Sequence, residues 1–183
     1  RKSSVVAAAL ILSAVGTAQG GIYTIFDGNS EVRFDINSTA PNSRVGMDRW
    51  FVDGVNHMYS QWFWYRDSSM TQEERINSLP LLGAATSNAS VIDPRDDTFN
   101  AVFGAQGGWE FDVRFTLAGG TAGSNTSDVA ESIRIINRSS VTRTISFFQY
   151  ADFDLNDDIL DDLVEVVNPN LVRQVDFLSG TTV

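Results

Sequence analysis

Polar and apolar side chains alternate one by one along residues 110–117 of this 183-residue chain. The alternating residues are Glu110, Phe111, Asp112, Val113, Arg114, Phe115, Thr116 and Leu117. Successive side chains of a β-strand point to opposite faces, so the pattern predicts a strand with one face in water and the other in a core. Gly119-Gly120 is expected to end this strand.

The same period of two predicts two pairs of strands elsewhere in the chain. Residues 22–26 and 31–36 flank Asp27-Gly28-Asn29, which favours a hairpin with a longer loop. Residues 163–167 and 171–178 flank a turn that contains a proline, and we expect these two strands to pair as well.

Further strands and one short helix complete the predicted fold. Residues 131–136 and 143–150 predict two strands around a turn. Thr71 and Glu74 form a capping box, and Pro80 would close a short surface helix there. Many short strands in one ordinary domain length favour an all-β fold, an antiparallel two-sheet β-sandwich of jelly-roll or similar type. A closed barrel is the main rival.

Residues 1–20 have the features of a secretory signal peptide. Arg1 and Lys2 precede an apolar stretch over residues 5–15, and small residues follow as far as Gly20. The apolar stretch is shorter than the roughly 20 residues of a membrane-spanning helix. We therefore expect an exported protein with no membrane span in its mature part and a single sandwich domain over residues 21–183. An N-terminal membrane anchor or a buried strand is the alternative.

Composition narrows the class of protein further. The chain has 13 Lys and Arg against 23 Asp and Glu, a net charge of −10, which argues against a nucleic-acid partner. Lys2 is the only lysine, so a mature chain without residues 1–20 carries a net charge of −12. The absence of cysteine excludes disulfides and thiolate chemistry, and a single histidine excludes a multi-histidine metal site in one subunit. An acidic, cysteine-free exported domain is more typical of a bacterial exterior or periplasm than of a eukaryotic secretory route rich in disulfides.

Trp62 and Trp64 lie in the most aromatic segment, residues 61–66. Their spacing places both indoles on one face of a strand, while Phe63 and Tyr65 share the other face. Aromatic side chains on both faces favour a central strand buried in the core. The alternative is a platform of Trp62 and Trp64 on which sugar rings stack.

His57 is close in the sequence to Asp53 and Ser60, and Ser, His and Asp are the residue types of a hydrolase triad. The sequence contains no Gly-x-Ser-x-Gly motif, and spacing alone says nothing about mutual geometry. We expect His57 to be a hydrogen-bonded structural residue and predict no catalytic residues.

Seven acidic residues and no basic one occur between Arg143 and Arg173. Part of this segment matches the first ligand positions of a calcium loop, although Gly and Glu are missing where an EF-hand needs them. The candidate Ca²⁺ ligands are Asp152, Asp154, Asn156, Asp158 and Asp161. Two interpretations stay open, a loose calcium site and a solvated acidic loop. No other cofactor is predicted.

Several strings of residues resemble exported bacterial proteins of the PEP-CTERM class. They are Asp53-Gly54-Val55, residues 61–66, residues 127–131, Ile135-Ile136-Asn137 and residues 147–155. The resemblance covers residues 45–178 and implies export across the inner membrane, then sorting to the cell surface or the exopolysaccharide matrix. It implies no catalytic residues. The class takes its name from a C-terminal sorting tail, a Val-Pro-Glu-Pro-type signal followed by a hydrophobic helix and a basic end. The sequence as far as Val183 contains none of these parts, so either the sequence continues or this protein lacks the tail.

These observations lead to one functional expectation. The protein is expected to act outside a Gram-negative-type bacterium, at the cell surface or in the extracellular matrix, as a non-enzymatic structural or binding module. Its partners would be extracellular polysaccharide or envelope components. The alternatives are a carbohydrate-active protein, either a sugar-binding module or a paired-carboxylate hydrolase, and a calcium-stabilised adhesion domain.

Overall fold

The structure, a computed structural model, describes residues 20–37, 44–158 and 162–183. Strands make up 57% of these described residues, and helix is almost absent from them. The strands are β1 (Ile22–Asp27), β2 (Ser30–Asp35), β3 (Gly46–Val52), β4 (Val55–Asn56), β5 (Ser60–Asp67), β6 (Glu74–Arg75), β7 (Leu81–Ser87), β8 (Thr98–Gly104), β9 (Trp109–Gly119), β10 (Ser127–Asn137), β11 (Ile145–Asp152), β12 (Asp162–Asn168) and β13 (Leu171–Asp176). Two 3₁₀ turns cover Ile76–Ser78 and Leu155–Asp157.

The strands form two main antiparallel sheets and one separate hairpin. Sheet A has the order β1-β2-β3-β5-β11, with β4 added to β3 and β6 added to β5. Sheet B has the order β10-β9-β8-β7, and β12 pairs with β13. The prediction of an all-β antiparallel two-sheet sandwich is confirmed.

The core lies between the inner faces of the two sheets. In β9, buried and more exposed side chains alternate as predicted, and Phe111 and Phe115 are fully buried. Phe34 of sheet A stacks on Phe99 of sheet B with ring centroids 4.4 Å apart, and Phe63 lies 5.9 Å from Phe115. Aromatic pairs of this kind stabilise the sandwich beyond the area that they bury.

Both predicted strand pairs are present, with one correction to the first turn. β1 pairs with β2, and Asp27 lies opposite Ser30, so the loop has two residues and is not the longer loop that the sequence predicts. Gly28 has φ +50°, a conformation that glycine adopts without a steric cost, and this allows the short turn. β12 pairs with β13 as predicted.

The two strands predicted around residues 137–140 exist but lie in different sheets. β10 pairs with β9 in sheet B, whereas β11 pairs with β5 in sheet A. The chain between them crosses from one layer of the sandwich to the other, a step that a period-two pattern does not encode.

The predicted surface helix is wrong in extent and in burial. Glu74–Arg75 is a short strand paired with β5, and the helical part is one 3₁₀ turn whose first position has no side-chain cap. Ile76 is fully buried and is drawn into the core. A segment with so few apolar residues has no stripe with which a longer helix could pack.

None of the helical turns among the described residues is long and apolar enough to cross a membrane. The predicted signal peptide, residues 1–20, lies outside the described part of the chain except for Gly20.

Candidate functional site

A pocket of about 430 Å³ opens where the end of β3, the start of β10 and the segment after β13 come together. Trp50 and Val52 of β3 and Val55 of β4 supply its apolar wall. The polar lining consists of His57 and six amide or hydroxyl side chains, Asn125, Ser127, Asn156, Ser179, Thr181 and Thr182. Its volume lies within the range of roughly 300–1,000 Å³ in which small ligands bind.

Trp50 is held in place by contacts on three sides. Its indole N–H donates a hydrogen bond to the hydroxyl of Ser127 at 3.0 Å, which joins sheet A to sheet B. Its ring centroid lies 6.3 Å from that of Phe153, and its backbone N–H donates to the Asn56 side chain at 3.1 Å. The orientation of the ring is therefore fixed before any ligand arrives.

The polar wall is ordered by a carboxylate behind it. Asp176 is only 2% exposed and accepts hydrogen bonds from the backbone N–H groups of Leu178 and Ser179, at 2.7 and 2.9 Å. The Ser179 hydroxyl and the Asn156 amide also donate to it. These bonds, those from Ser179 above all, hold the pKa of Asp176 well below its ordinary range. A charged, fully hydrogen-bonded carboxylate thus positions Asn156 and Ser179.

His57 is hydrogen-bonded to this polar wall through the backbone of Asn156, which has an unusual conformation. Asn156 has φ +59°, and its backbone N–H donates to Nδ1 of His57 at 3.2 Å. Burial lowers the pKa of His57, while the charge of Asp162 opposes that shift. The imidazole is therefore neutral at pH 7, with Nδ1 as an acceptor and the proton on Nε2.

The side chains that line the pocket are uncharged, although the protein as a whole is acidic. No Asp, Glu, Lys or Arg side chain belongs to the lining that the structure describes, although the whole chain carries a net charge of −10. The lining can donate and accept hydrogen bonds through amides, hydroxyls and one neutral imidazole. Such a surface favours a neutral, polar ligand over an ion.

The residues considered for a hydrolase triad do not come together. Asp53 accepts hydrogen bonds from the backbone N–H groups of Gly123 and Asn125, at 2.6 and 2.9 Å, and these lower its pKa. The Ser60 hydroxyl donates to the Val45 carbonyl at 3.4 Å. Asp53 therefore fixes a neighbouring loop, and His57 has the structural hydrogen bond that the sequence analysis expects.

The two tryptophans of the aromatic strand have different environments. Trp62 is fully buried, as the core interpretation predicts, and its N–H donates to Asn77 at 3.1 Å. It cannot serve as a sugar platform, because its ring has no exposed face. Trp64 is half-buried on the outer face of sheet A and meets Tyr150 edge to face, with centroids 5.9 Å apart. Of the predicted platform, only Trp64 is accessible.

The candidate calcium ligands that the structure describes interact with different partners. The Asp152 carboxylate accepts from the Tyr150 hydroxyl at 2.7 Å, and the Asn156 side chain faces Asp176 and Thr181. Burial, then the charge of Asp152, raises the pKa of Asp154. Asp158 follows the second 3₁₀ turn, and Asp161 lies outside the described residues.

Within the described ranges, no group of three or more His, Cys, Asp or Glu residues is arranged to hold a metal ion. Because Asp161 falls outside those ranges, the calcium site stays a prediction.

Sequence reasoning singled out His57 and Asn156 for other roles and missed the rest of the pocket. Trp50, Ser127 and Thr181 are far apart in the chain and lie in sheet A, in sheet B and after β13, so only the tertiary fold brings them together. One local signal was available, since Asp176 and Ser179 have the spacing at which an Asp side chain caps a following turn.

Fold and pocket together define a class, an all-β two-sheet sandwich with an uncharged polar pocket beside a fixed tryptophan. The chain matches no known protein family, and no curated protein or solved structure shows significant similarity to it.

Proposed function

We propose that the protein is a non-enzymatic binding module, exported to the cell envelope or extracellular matrix of a Gram-negative-type bacterium. The observation that carries the binding role is the pocket in which Trp50 stands beside preordered amide and hydroxyl groups. A fixed aromatic side chain with a few convergent polar groups is the usual composition of a ligand site.

The chemistry of the lining supports binding more than catalysis. His57 is the one titratable side chain of the described lining, and its Nδ1 accepts the backbone N–H of Asn156. A general base needs a free nitrogen next to a nucleophile and a partner that orients it. The carboxylate that holds Asn156 and Ser179 in the pocket wall, Asp176, is saturated with hydrogen bonds.

Export and location rest on the sequence. Residues 1–20 have the order of charge, apolar stretch and small residues that marks a signal peptide, and the resemblance to the PEP-CTERM class implies the cell surface or the exopolysaccharide matrix. The partner would then be an envelope component or an extracellular polysaccharide.

Co-sedimentation of the full chain with envelope and exopolysaccharide fractions of a Gram-negative bacterium tests the proposal. We expect the wild type to sediment with at least one fraction, and Trp50→Ala to reduce the bound share about tenfold. Trp64→Ala is the matched control, since Trp64 is a half-buried tryptophan of the same sheet outside the pocket. Equal binding by all three proteins, or none by the wild type, contradicts a binding role for the pocket.

A second candidate, a sugar platform on the outer face of sheet A, is favoured by a separate observation. Phe148 lies directly opposite Trp64 in the pairing of β5 with β11, and Phe148 and Tyr150 are 39% and 49% exposed. The guanidinium of Arg66 lies 5.9 Å from the Phe148 ring centroid. An exposed row of aromatic rings suits the flat faces of a polysaccharide chain.

The same sedimentation experiment separates the two candidates. A platform predicts that Trp64→Ala reduces binding while Trp50→Ala leaves it unchanged, the reverse of the result expected for the pocket.

A further inference from the structure

We infer that the pocket beside Trp50 binds one uncharged sugar unit of a glycan and discriminates against acidic sugars. The inference deepens the proposed function and rests on it, because it names the ligand class of the same pocket. Three independent properties of the lining lead to it: a fixed indole, a set of groups that both donate and accept, and the absence of ionic side chains from the described lining.

The indole supplies the apolar half of the recognition. A sugar ring has a face of C–H groups, and burying that face against an aromatic ring is favourable in water. Trp50 is anchored by its 3.0 Å hydrogen bond to Ser127 and by Phe153. The ring loses little freedom when a ligand binds, so more of the contact energy contributes to affinity.

The opposite wall supplies the polar half. Hydroxyls and amides can both donate and accept, which matches the equatorial and axial hydroxyls of a sugar. Asn156 and Ser179 are positioned by the buried carboxylate of Asp176, and Thr181 lies 3.0 Å from the Asn156 amide nitrogen. The carboxylate thus acts through the groups that it holds rather than by contact with the ligand.

Charge decides which sugars fit. A carboxylated, sulfated or phosphorylated sugar would need a cationic partner to offset its desolvation. The described lining contains no Lys or Arg, and the buried Asp176 lies directly behind it in a chain of net charge −10. An anionic ligand would therefore meet a negative potential without a compensating contact.

The size and position of the pocket favour a single residue of a longer chain. At about 430 Å³ the pocket is small, and it opens at the surface beside the exposed side chain of Thr182. The glycan on either side of the bound unit would lie in solvent.

Calorimetric titration of the full chain with neutral and acidic trisaccharides tests the inference. The probes are cellotriose, maltotriose, mannotriose and galactotriose, with trigalacturonate as the acidic counterpart, all at low salt. We expect at least one neutral trisaccharide to bind, and trigalacturonate to bind at least about tenfold more weakly. Equal or tighter binding of trigalacturonate overturns the inference, and so does the absence of binding by every neutral probe.

Two variants assign the binding to this pocket. Trp50→Ala is expected to weaken binding at least about tenfold, whereas Tyr59→Ala, at an exposed aromatic side chain outside the pocket lining, leaves it unchanged. Thr182→Val keeps the shape of an exposed side chain and removes one hydroxyl, so folding is not at risk, and a loss of about three- to tenfold is expected. Unchanged affinity in both pocket variants places the sugar elsewhere and overturns the inference.

The outcome also separates this inference from the proposed function. If envelope fractions retain the protein through Trp50 while none of the neutral trisaccharides binds, the binding function stands and the neutral-sugar assignment fails. If neither material binds, both fail.

Discussion

The indole nitrogen of Trp109 lies 3.0 Å from a carboxylate oxygen of Asp67, and this bond joins the two sheets at one end of β5. Both residues are almost fully buried, at 6% and 5% exposure. Arg143 forms an ion pair with the same carboxylate, and its guanidinium lies 5.4 Å from the Trp109 ring centroid. Hydrogen bonds, first of all from Ser69, lower the pKa of Asp67.

Asp67→Ala is expected to be among the most destabilising single changes in the protein. It leaves the Trp109 N–H and the Arg143 guanidinium without a buried acceptor, and losing one member of such a cluster costs about 3–5 kcal/mol. Urea unfolding measures the loss. Glu110→Ala is the control, because it removes an ion pair in which the Arg138 side chain is 52% exposed, and it should cost less than about 1 kcal/mol. Equal losses would show that Asp67 contributes no more than a surface charge.

Gly46→Ala tests how Trp62 is accommodated in the core. Gly46 has φ +89°, and a Cβ atom there would lie 2.2 Å from the Trp62 ring. We expect a loss of about 3 kcal/mol or more from backbone strain and overpacking together. Gly54→Ala is the matched control, since Gly54 has φ +84° with no atom within 4 Å of the added Cβ.

The control variant carries the backbone strain alone and should lose about 1–2 kcal/mol in the same urea experiment. If the two variants lose the same amount, the contact between Gly46 and Trp62 has no energetic role.

The sequence predicted strands well because alternation reports burial directly. β9 follows its polar and apolar pattern almost residue by residue. Trp62 departs from that pattern, because β3 and β5 pair at a single position, Met47 with Gln61, and Gly46 leaves room there for an indole. Such a gap depends on two strands at once and cannot be seen in either.

The candidate site was harder to predict for the same physical reason. His57 and Asn156 were both noticed, yet their hydrogen bond spans 99 positions of the chain and depends on Asn156 having φ +59°. Trp50 and Ser127 meet because β3 and β10 belong to different sheets that pack face to face. Composition and spacing contain no record of contacts made across the sandwich.

Asp154→Asn is expected to stabilise the protein at pH 7 in the presence of a chelator. Burial and the neighbouring Asp152 raise the pKa of Asp154, which means that folding disfavours its charge. Removing that charge should gain about 0.5–1 kcal/mol, a modest figure because the group is only half-buried. Thermal unfolding of both proteins measures the difference, and a less stable variant contradicts the prediction.

The same pair of proteins tests the two interpretations of the acidic segment. A calcium site predicts that millimolar Ca²⁺ raises the melting temperature of the wild type and leaves that of Asp154→Asn unchanged. A solvated acidic loop predicts superimposable wild-type curves with Ca²⁺ and with chelator.

Glu131 makes the folding stability of the protein fall as the pH rises, whereas a carboxyl whose pKa is lowered by folding has the opposite effect. It lies on β10, where Gln149 of β11 donates to its carboxylate at 2.9 Å, and burial raises its pKa from 4.5 to about 7. A carboxyl with a raised pKa holds its proton more tightly in the folded state than in the unfolded state. Its contribution to stability is therefore fully present below about pH 4.5 and is lost as the pH rises to about 7.

Glu131→Gln is expected to remove this dependence, because the amide is uncharged at every pH. The variant should be more stable than the wild type by about 1–2 kcal/mol at pH 8, and the difference should vanish near pH 4. Urea unfolding across this range measures it, with Glu73→Gln, at an exposed glutamate, as a control for the loss of one negative charge. A difference between Glu131→Gln and wild type that is constant from pH 4 to pH 8 would mean that the pKa of Glu131 is the same in the folded and unfolded protein, and that its folded environment does not disfavour the charge.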